Sequence, residues 1–451
     1  MKKIRVSFEQ LTIAAQLLRW SLLVLPMSML VGSLVALFLW SLEKATLLRF
    51  AHPWLLYLLP AAGLLIYFPY KLWGKNSEAG NNLIMDEIHE PGGGVPARMT
   101  PLVFLGTVVT HLFGGSAGRE GTAVQMGGSM AHLVGRLFRL QQQDMKIFLM
   151  AGVGAGFGSV FGTPLTGAIF ALEVLAIGTM RYEALIPSLI ASILADVTTR
   201  AWGIRHPVYA NLDQGLRAAG SQLYHVPWLL LGQVIAAGVC FGLAGYLFSE
   251  LMHSIKNLAR KWIPVPWLIP VAGGVLVIAI ATALGTRDYL GLGVLAEHPG
   301  SITLLSAFHR GGAATWSWFW KLLLTAVTLG MGFKGGEVTP LFFIGATLGN
   351  TLAGVLHAPV DLFAALGFIG VFAGATNTPI ACTLMGVELF GSTHVMYYAV
   401  ACFTAYYFSG HSGIYTSQRI RIPKFQDSLL KAPSSLKVAR EKRLKQWWSR
   451  H

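Results

Sequence analysis

Two glutamates of this chain occupy glycine-rich stretches with strongly apolar sequence on both sides. Glu120 lies in GGSAGREGTAVQMGG, residues 114–128, and Glu337 lies in GFKGGEVTP, residues 332–340. Acidic side chains within apolar segments are costly to bury and are usually functional. Glu120 could instead only cap its own helix start. We favour a functional carboxylate that binds and releases a proton.

The same stretches predict helix starts that can hold an anion. Glycine-rich backbone at membrane depth cannot face lipid, because each unpaired amide group would cost several kcal/mol. Where such backbone turns into a helix, the first-turn N–H groups and the helix dipole attract negative charge. An ionised Glu120 can occupy that position and a protonated Glu120 can yield it to an anion. The anion-binding candidates around the two starts are Gly118, Arg119, Gly121, Val338 and Thr339.

The elements that position these motifs are expected to cross a membrane. Hydrophobic residues make up 54% of the 451 residues and charged residues 12%, against about 25% charged in an average soluble domain. Runs such as VPWLLLGQVIAAGVCFGLAGYLF reach the roughly 20 residues that a spanning helix needs. The first apolar run has no cleavage site and is interpreted as a retained helix. We predict an all-α polytopic membrane protein with no soluble catalytic domain, and so no enzyme.

The charge distribution predicts how the chain is oriented. The net charge of +14 is concentrated at the ends, in MKKIR, in QRIRIPK and in KVAREKRLKQWWSR. The positive-inside rule then places both termini in the cytoplasm. Lipid headgroups, rather than nucleic acid, explain the basic ends. The three cysteines lie singly, without metal or disulfide spacing, so no metal or cofactor is predicted.

The chain contains an internal repeat with an offset of about 215 residues. Gly118 to Thr122 match Gly335 to Thr339, and Thr-Pro pairs precede Glu173 and Glu388 at the same interval. Both glycine–glutamate segments interrupt helices, as expected for inverted repeats whose broken helices meet at the midplane. The predicted units are an N-terminal segment (1–9), a first repeat (10–203), a linker (204–224), a second repeat (225–420) and a basic C-terminal tail (421–451).

These motifs together resemble those of the CLC chloride channels and anion/proton antiporters, over nearly the whole chain. GREG is similar to the family's G(K/R)EG motif, whose glutamate is the external gate, and GGEVTP is similar to its GGxFxP motif. AGNNLIMDEI, residues 79–88, lies where chloride-selective members carry GSGIP. The resemblance implies a CLC-type fold, with Glu120 as the gate, and a homodimer with one pathway in each subunit.

Three departures point to the fluoride/proton antiporter branch of that family, CLC-F. Thr122 replaces a proline, Asn81 replaces the serine of GSGIP, and Val338 replaces a phenylalanine. The resemblance therefore implies fluoride as the transported anion, exported in exchange for protons. The alternative is a chloride/proton antiporter or a passive chloride channel of the same family.

The chloride/proton antiporters also carry an inner proton glutamate, which this chain lacks. The alignment puts Val174 at that position and Glu173 one residue early. By resemblance, the fluoride branch exchanges without it, so gating and proton coupling fall to Glu120 and Glu337. Glu173 and Glu388 are interpreted equally well as helix caps or as proton carriers.

Several roles stay open at this level. Tyr415 aligns with the family's central tyrosine on its final membrane helix, where its hydroxyl would bind the anion, or it belongs to an interfacial belt. Asn81 either contacts the anion or is a loop residue. Arg119 either adds positive potential or reaches the interface by its flexible stem.

Two chemical readings of other residues are weaker. EIHEP, residues 87–91, lacks the histidine pair of a zinc helix and is interpreted as a polar loop. An intramembrane hydrolase using Glu120 or His111 would need a nucleophile or metal cluster that the sequence does not provide. The tail after Tyr415 is too short for the paired nucleotide-sensing domains of some relatives, which argues against nucleotide regulation.

Overall fold

The computed structural model describes residues 9–207, 227–426 and 434–450, and most of these are helical. Residues 1–8 and 208–226 lie outside the described ranges, and with them nearly all of the predicted N-terminal segment and linker. The first half contains α1 (Glu9–Ala51), α2 (Leu59–Pro69), α3 (Asn81–His89), α4 (Met99–Leu112), α5 (Glu120–Leu137), α6 (Gln142–Phe161), α7 (Pro164–Glu173) and α8 (Leu185–Ala201).

The second half repeats this order with seven described helices, none of which matches α3. It contains α9 (Trp228–Trp262), α10 (Leu268–Leu284), α11 (Ser317–Gly330), α12 (Val338–Leu356), α13 (Val360–Thr376), α14 (Pro379–Phe390) and α15 (Val395–Phe408). Within the predicted basic tail, α16 (Leu436–Arg450) follows a short strand. Three two-residue strands form one small sheet in which β2 (Arg419–Ile420) lies between parallel β1 (Ala176–Ile177) and antiparallel β3 (Ser434–Ser435).

The helices are those of a multi-pass membrane protein. Among the described residues, six helical segments are long and apolar enough to cross a bilayer, and five more are apolar but shorter. Short helices such as α7, with 10 residues, cannot cross about 30 Å of hydrocarbon alone, since each residue adds 1.5 Å. They are broken helices that cross only in combination. The predicted all-α polytopic fold is confirmed.

The two halves are inverted copies of each other. Helices α4 and α11 have 14 residues each, and α5 and α12 have 18 and 19. The last residue of α7, Glu173, contacts the start of α14, and Glu388 near the end of α14 contacts the start of α7. Equivalent helices therefore lie antiparallel, side by side. A two-fold axis perpendicular to them lies in the membrane plane, which is the inverted arrangement that the sequence predicted.

Glycines bring the helices of each half close together in matching places. A methyl group on Gly127 of α5 would lie 2.1 Å from the Gly152 oxygen of α6, and one on Gly345 of α12 would lie 1.9 Å from the Gly367 oxygen of α13. Only glycine fits at such contacts, because a real Cβ does not approach an oxygen so closely. Small residues at helix contacts are the usual basis of tight packing in membranes. This packing fixes α5 and α12, whose first turns form the candidate site.

Candidate anion site

The starts of α5 and α12 meet through the glycines that precede them. Gly118 and Gly336 pair as a short antiparallel bridge, in which the Gly118 amide donates to the Gly336 carbonyl at 2.6 Å and the Gly336 amide donates to Gly118 at 2.8 Å. A methyl group on Gly336 would lie 2.7 Å from the Gly121 nitrogen and 3.0 Å from the Glu120 nitrogen. The two helix starts thus converge at one buried centre, as the sequence predicted.

The bridge corrects the residue correspondence between the two repeats. The sequence match aligned Gly118 with Gly335 and Glu120 with Glu337, but the structure pairs Gly118 with Gly336. Glu120 is consequently the first residue of α5, whereas Glu337 precedes α12 as its N-cap. A one-residue shift on a helix turns a side chain by about 100°, so the two carboxylates take different directions. They are neighbours at the centre without being equivalent.

The Glu120 carboxylate occupies the N-terminus of the opposite helix. Its Oε2 accepts hydrogen bonds from the Thr339 amide at 3.0 Å and from the Arg119 amide at 3.1 Å, and its Oε1 accepts from the Thr339 hydroxyl. The Glu120 side chain has no solvent exposure. A carboxylate in that position uses both the free first-turn N–H groups and the positive end of the helix dipole.

Arg119 belongs to this centre and does not extend to an interface. Its side chain is 14% exposed, and its Nε lies 3.4 Å from Glu120 Oε1. The guanidinium of Arg119 therefore faces the Glu120 carboxylate, which is one of the two positions that the sequence left open. Val338, also buried, is the first residue of α12 and lies next to the Thr339 donors.

Glu337 and Asn81 meet at Gly121, in the first turn of α5. A methyl group on Gly121 would lie 3.2 Å from Glu337 Oε2 and 3.2 Å from Asn81 Nδ2. Asn81 is the first residue of α3 and so is not a loop residue. Glu337 Oε2 and Asn81 Oδ1 are buried oxygens without a hydrogen-bond partner among the described residues. Buried polar atoms are normally paired, so two orphaned oxygens here indicate a polar site able to take a ligand or a proton.

Tyr415 lies on non-helical backbone beside the start of α3. It follows α15 in the segment that leads to β2, whereas the resemblance placed it on a final membrane helix. The side chain is buried. The Ser417 amide donates to Asn82 Oδ1 at 2.9 Å, and the Ile414 amide donates to the Ala375 carbonyl at 2.9 Å. Hydrogen bonds from neighbouring backbone amides to other segments, and not a helix, therefore fix the position of Tyr415.

Glu173 and Glu388 are reciprocal helix caps. Glu173 accepts from the Ile380 and Ala381 amides at 3.0 and 2.8 Å, and Glu388 accepts from the Leu165 and Thr166 amides at 2.9 and 2.8 Å. Each carboxylate satisfies the first-turn donors of the other short helix. The geometry favours the capping role of the two that the sequence left open. Val174 follows Glu173 as a buried apolar residue.

The sequence also pointed to EIHEP and His111, whose side chains make structural contacts. Glu87 and His89 lie within α3, so the polar loop predicted at residues 87–91 is wrong at 87–89. Glu90 and Pro91 follow the helix, and Glu90 pairs with Arg419 at 2.5 Å. His111 is buried, with its Nε2 3.3 Å from the Gly118 carbonyl. In the ranges that the structure describes, no group of His, Cys, Asp and Glu could hold a metal ion.

Sequence reasoning missed two contributors to the centre, Thr107 and Gln418. The Thr122 hydroxyl bonds the Thr107 hydroxyl of α4 at 2.7 Å, which ties the start of α5 to its neighbour. Gln418 joins the Tyr415 segment to the Val174 and Thr376 carbonyls at 2.8 and 2.9 Å. Its partners are 244 and 42 residues away, and no local pattern in the sequence marks contacts over such separations.

An inverted pair of broken-helix repeats, with a carboxylate from one seated at the helix start of the other, defines a membrane transport protein of the CLC type. A family model described as voltage gated chloride channel matches residues 62–410. The chain is 47% identical over 418 residues to the chloride/fluoride channel protein of Pseudomonas syringae pv. tomato, covering 91% of this chain and 89% of that protein.

Solved structures give the same result. The crystal structure of a CLC-type fluoride/proton antiporter matches with a TM-score of 0.82 and 33% identity, over 90% of this chain and 98% of that one. A slow cyanobacterial Cl⁻/H⁺ antiporter matches with a TM-score of 0.69 over 87% and 94% of the chains, but at 19% identity it is similar in fold alone. The chain belongs to the voltage gated chloride channel family, and its predicted membership of the CLC-F branch is confirmed.

Proposed function

We propose that this protein exports fluoride in exchange for protons, with Glu120 as both the anion gate and a proton carrier. The observation that carries the proposal is the Glu120 carboxylate seated on the amide and hydroxyl of Thr339 at the start of α12. A carboxylate oxygen and a fluoride ion are both small, strong hydrogen-bond acceptors. The donors that hold the Glu120 carboxylate therefore also suit fluoride.

Protonation of Glu120 is the step that couples the two ions. When Glu120 binds a proton, it loses its charge and one of its oxygens becomes a donor, so its attraction to the Thr339 amide and to Arg119 falls. Fluoride then takes the vacated donors, and the neutral side chain carries the proton away from them. When the proton leaves, the carboxylate returns and displaces the anion. Each transport cycle therefore exchanges the Glu120 carboxylate and fluoride at the same set of hydrogen-bond donors.

Glu337 and Asn81 form the second part of the pathway in this proposal. The orphaned Glu337 Oε2 and the Asn81 amide nitrogen lie beside Gly121, at the start of α5. A protonated Glu337 can donate to fluoride, as can the Asn81 amide group and the Tyr415 hydroxyl. An anion leaving Thr339 therefore meets further donors, with Glu337 supplying or taking a proton.

The membrane potential supports export by this exchange. Fluoride leaving and a proton entering both move positive charge inward, and each charge crossing about 100 mV contributes about 2.3 kcal/mol. We place the protein in a bacterial inner membrane with both termini in the cytoplasm, on the basis of its basic ends. From the family resemblance we also propose a homodimer with one pathway in each subunit.

Parallel efflux measurements test the proposed function. Proteoliposomes loaded with fluoride or with chloride are followed with ion electrodes and a pH probe. We expect fluoride efflux that drives proton uptake and greatly exceeds chloride efflux. Chloride efflux equal to that of fluoride would instead favour a chloride transporter, and fluoride efflux without proton movement would identify a passive channel.

A further inference from the structure

The basic tail folds back onto the segment that carries Tyr415. Its strand β3 pairs with β2, which follows that segment. At the start of α16, the Leu436 amide donates to the Gln418 carbonyl at 2.9 Å, and the Lys437 amide donates to the Thr416 carbonyl at 3.1 Å. The tail therefore binds the chain directly after the tyrosine.

A carboxylate of α9 joins α16 to the same segment before the tyrosine. Glu250 Oε2 accepts a hydrogen bond from Arg440 Nε at 2.8 Å, and Glu250 Oε1 accepts one from the Ser412 hydroxyl at 3.0 Å. Arg443 Nη2 lies 3.8 Å from the same carboxylate and donates to the His411 carbonyl at 2.8 Å. One carboxylate thus holds a guanidinium of the tail with one oxygen and the tyrosine segment with the other.

The contact between Glu250 and Arg440 is largely enclosed. The side chains of Arg440 and Glu250 are 14% and 21% exposed, and partly buried ion pairs are screened by salt much less than exposed ones. Leu436 and Ala439 of α16 also pack in a small apolar cluster with β1 and β2. The first turns of α16 are therefore docked by both a charged and an apolar contact.

These contacts matter because the Tyr415 segment is not a helix and depends on its neighbours for its position. His253 Nε2 of α9 lies 3.1 Å from the Gly413 carbonyl, so α9 and α16 contact the segment from two elements. A hydroxyl donor lies about 2.5–3.0 Å from its acceptor, and a displacement of about 1 Å removes the hydrogen bond. The geometry of the segment thus decides whether the Tyr415 hydroxyl can reach an anion.

We propose that Arg440 and Glu250 are positioning residues for the Tyr415 hydroxyl, through which the basic tail sets the anion affinity of the pathway. The inference deepens the proposed function and rests on it for Tyr415 as an anion donor. Arg440 acts through Glu250 and Ser412 and does not touch the anion. Its loss lowers affinity and leaves proton coupling, which belongs to Glu120, unchanged.

A double-mutant cycle between the tail and the tyrosine tests the proposal in proteoliposomes. We expect Arg440→Gln to raise half-saturating fluoride about fivefold, because the tyrosine loses a hydrogen bond to the anion. The maximal flux and the proton-to-fluoride ratio should stay at their wild-type values, and an unchanged maximal flux shows that the variant is folded. Glu250→Ala should have the same effect. In a Tyr415→Phe background, Arg440→Gln should cause no further change, since the hydroxyl that it positions is absent.

Two variants of α16 are the controls. Arg440→Lys keeps a cation beside Glu250, whose contact with Arg440 uses a single nitrogen, and should restore half-saturating fluoride to within about twofold of wild type. Lys445→Gln removes one positive charge from an exposed position of the same helix. Its half-saturating fluoride should match wild type.

Four results would overturn the positioning role. These are wild-type affinity in both Arg440→Gln and Glu250→Ala, a loss of maximal flux at unchanged affinity, a full additional loss of affinity in the Tyr415→Phe background, and wild-type affinity in Tyr415→Phe itself. None of them bears on proton coupling by Glu120, which the pH record follows separately. If the antiport proposal failed instead, the cycle would still be measured with whichever anion moves.

Discussion

At the scale of single residues, the proposed mechanism rests on one carboxylate that would compete with an anion for the same donors. Glu120 reaches Thr339 across 219 positions of sequence, and Arg119 faces it with a positive charge. The Thr339 hydroxyl is the donor most suited to discriminate anions. Fluoride is smaller than chloride and accepts stronger hydrogen bonds, so a fixed hydroxyl favours fluoride more.

Replacing Thr339 by valine should reduce discrimination between the two anions. A hydrogen bond to a charged group contributes about 1.5–3 kcal/mol, and about 1.4 kcal/mol corresponds to tenfold. We expect the ratio of half-saturating chloride to half-saturating fluoride to fall about tenfold. The ratio is measured because the substitution also removes a hydrogen bond from Glu120. Weaker competition from Glu120 changes the apparent affinity for both anions alike, so this effect cancels in the ratio.

Thr347→Val is the matched control for that measurement. Thr347 is a buried threonine of the same helix, and among the described residues its hydroxyl donates to the Phe343 and Ile344 carbonyls of α12 and to no other group. Its removal should leave the ratio at the wild-type value. An unchanged ratio in Thr339→Val would mean that the hydroxyl holds Glu120 without taking part in anion selection.

At the scale of elements, reciprocal capping joins the two short helices that the repeat generates. Helices α7 and α14 have 10 and 12 residues, and their first-turn amides receive carboxylates from each other. Helices this short are marginal by themselves. Their pairing gives the inner ends of both halves a fixed geometry without lipid-exposed amide groups.

Glu173→Ala should reduce stability and leave coupling intact. Loss of a helix cap costs about 0.5–2 kcal/mol, so we expect a midpoint of thermal unfolding in detergent lowered by a few degrees, with an unchanged proton-to-fluoride ratio in liposomes. Glu183→Ala, at a carboxylate that is 53% exposed, should change neither quantity. A changed ion ratio at unchanged stability would assign proton transfer to Glu173.

At the scale of the whole molecule, the repeat was visible in the sequence because both copies keep their glycines and glutamates in order. Those local features also identified Glu120, Thr339 and the two helix starts. The sequence did not show that Glu337 precedes its helix by one residue, since helix boundaries depend on the Gly118–Gly336 pairing. The capping of α14 by Glu173 likewise joins atoms 207 and 208 residues apart.

Segments distant in sequence also decide the surroundings of Tyr415. The resemblance predicted a helix for Tyr415, but its backbone is held by residues of α3, α13 and the small sheet. Such surroundings become visible only when the two repeats are folded together.

Proton coupling in Glu120→Gln tests the central claim most directly. Glutamine keeps the size of the side chain but cannot exchange a proton, so simultaneous fluoride and pH recordings from proteoliposomes should show proton uptake lost from any remaining fluoride efflux. Glu297→Gln, which neutralises a carboxylate outside the site that is 13% exposed, should keep wild-type coupling. Proton uptake at the wild-type ratio in Glu120→Gln would contradict the role of Glu120 as gate and proton carrier.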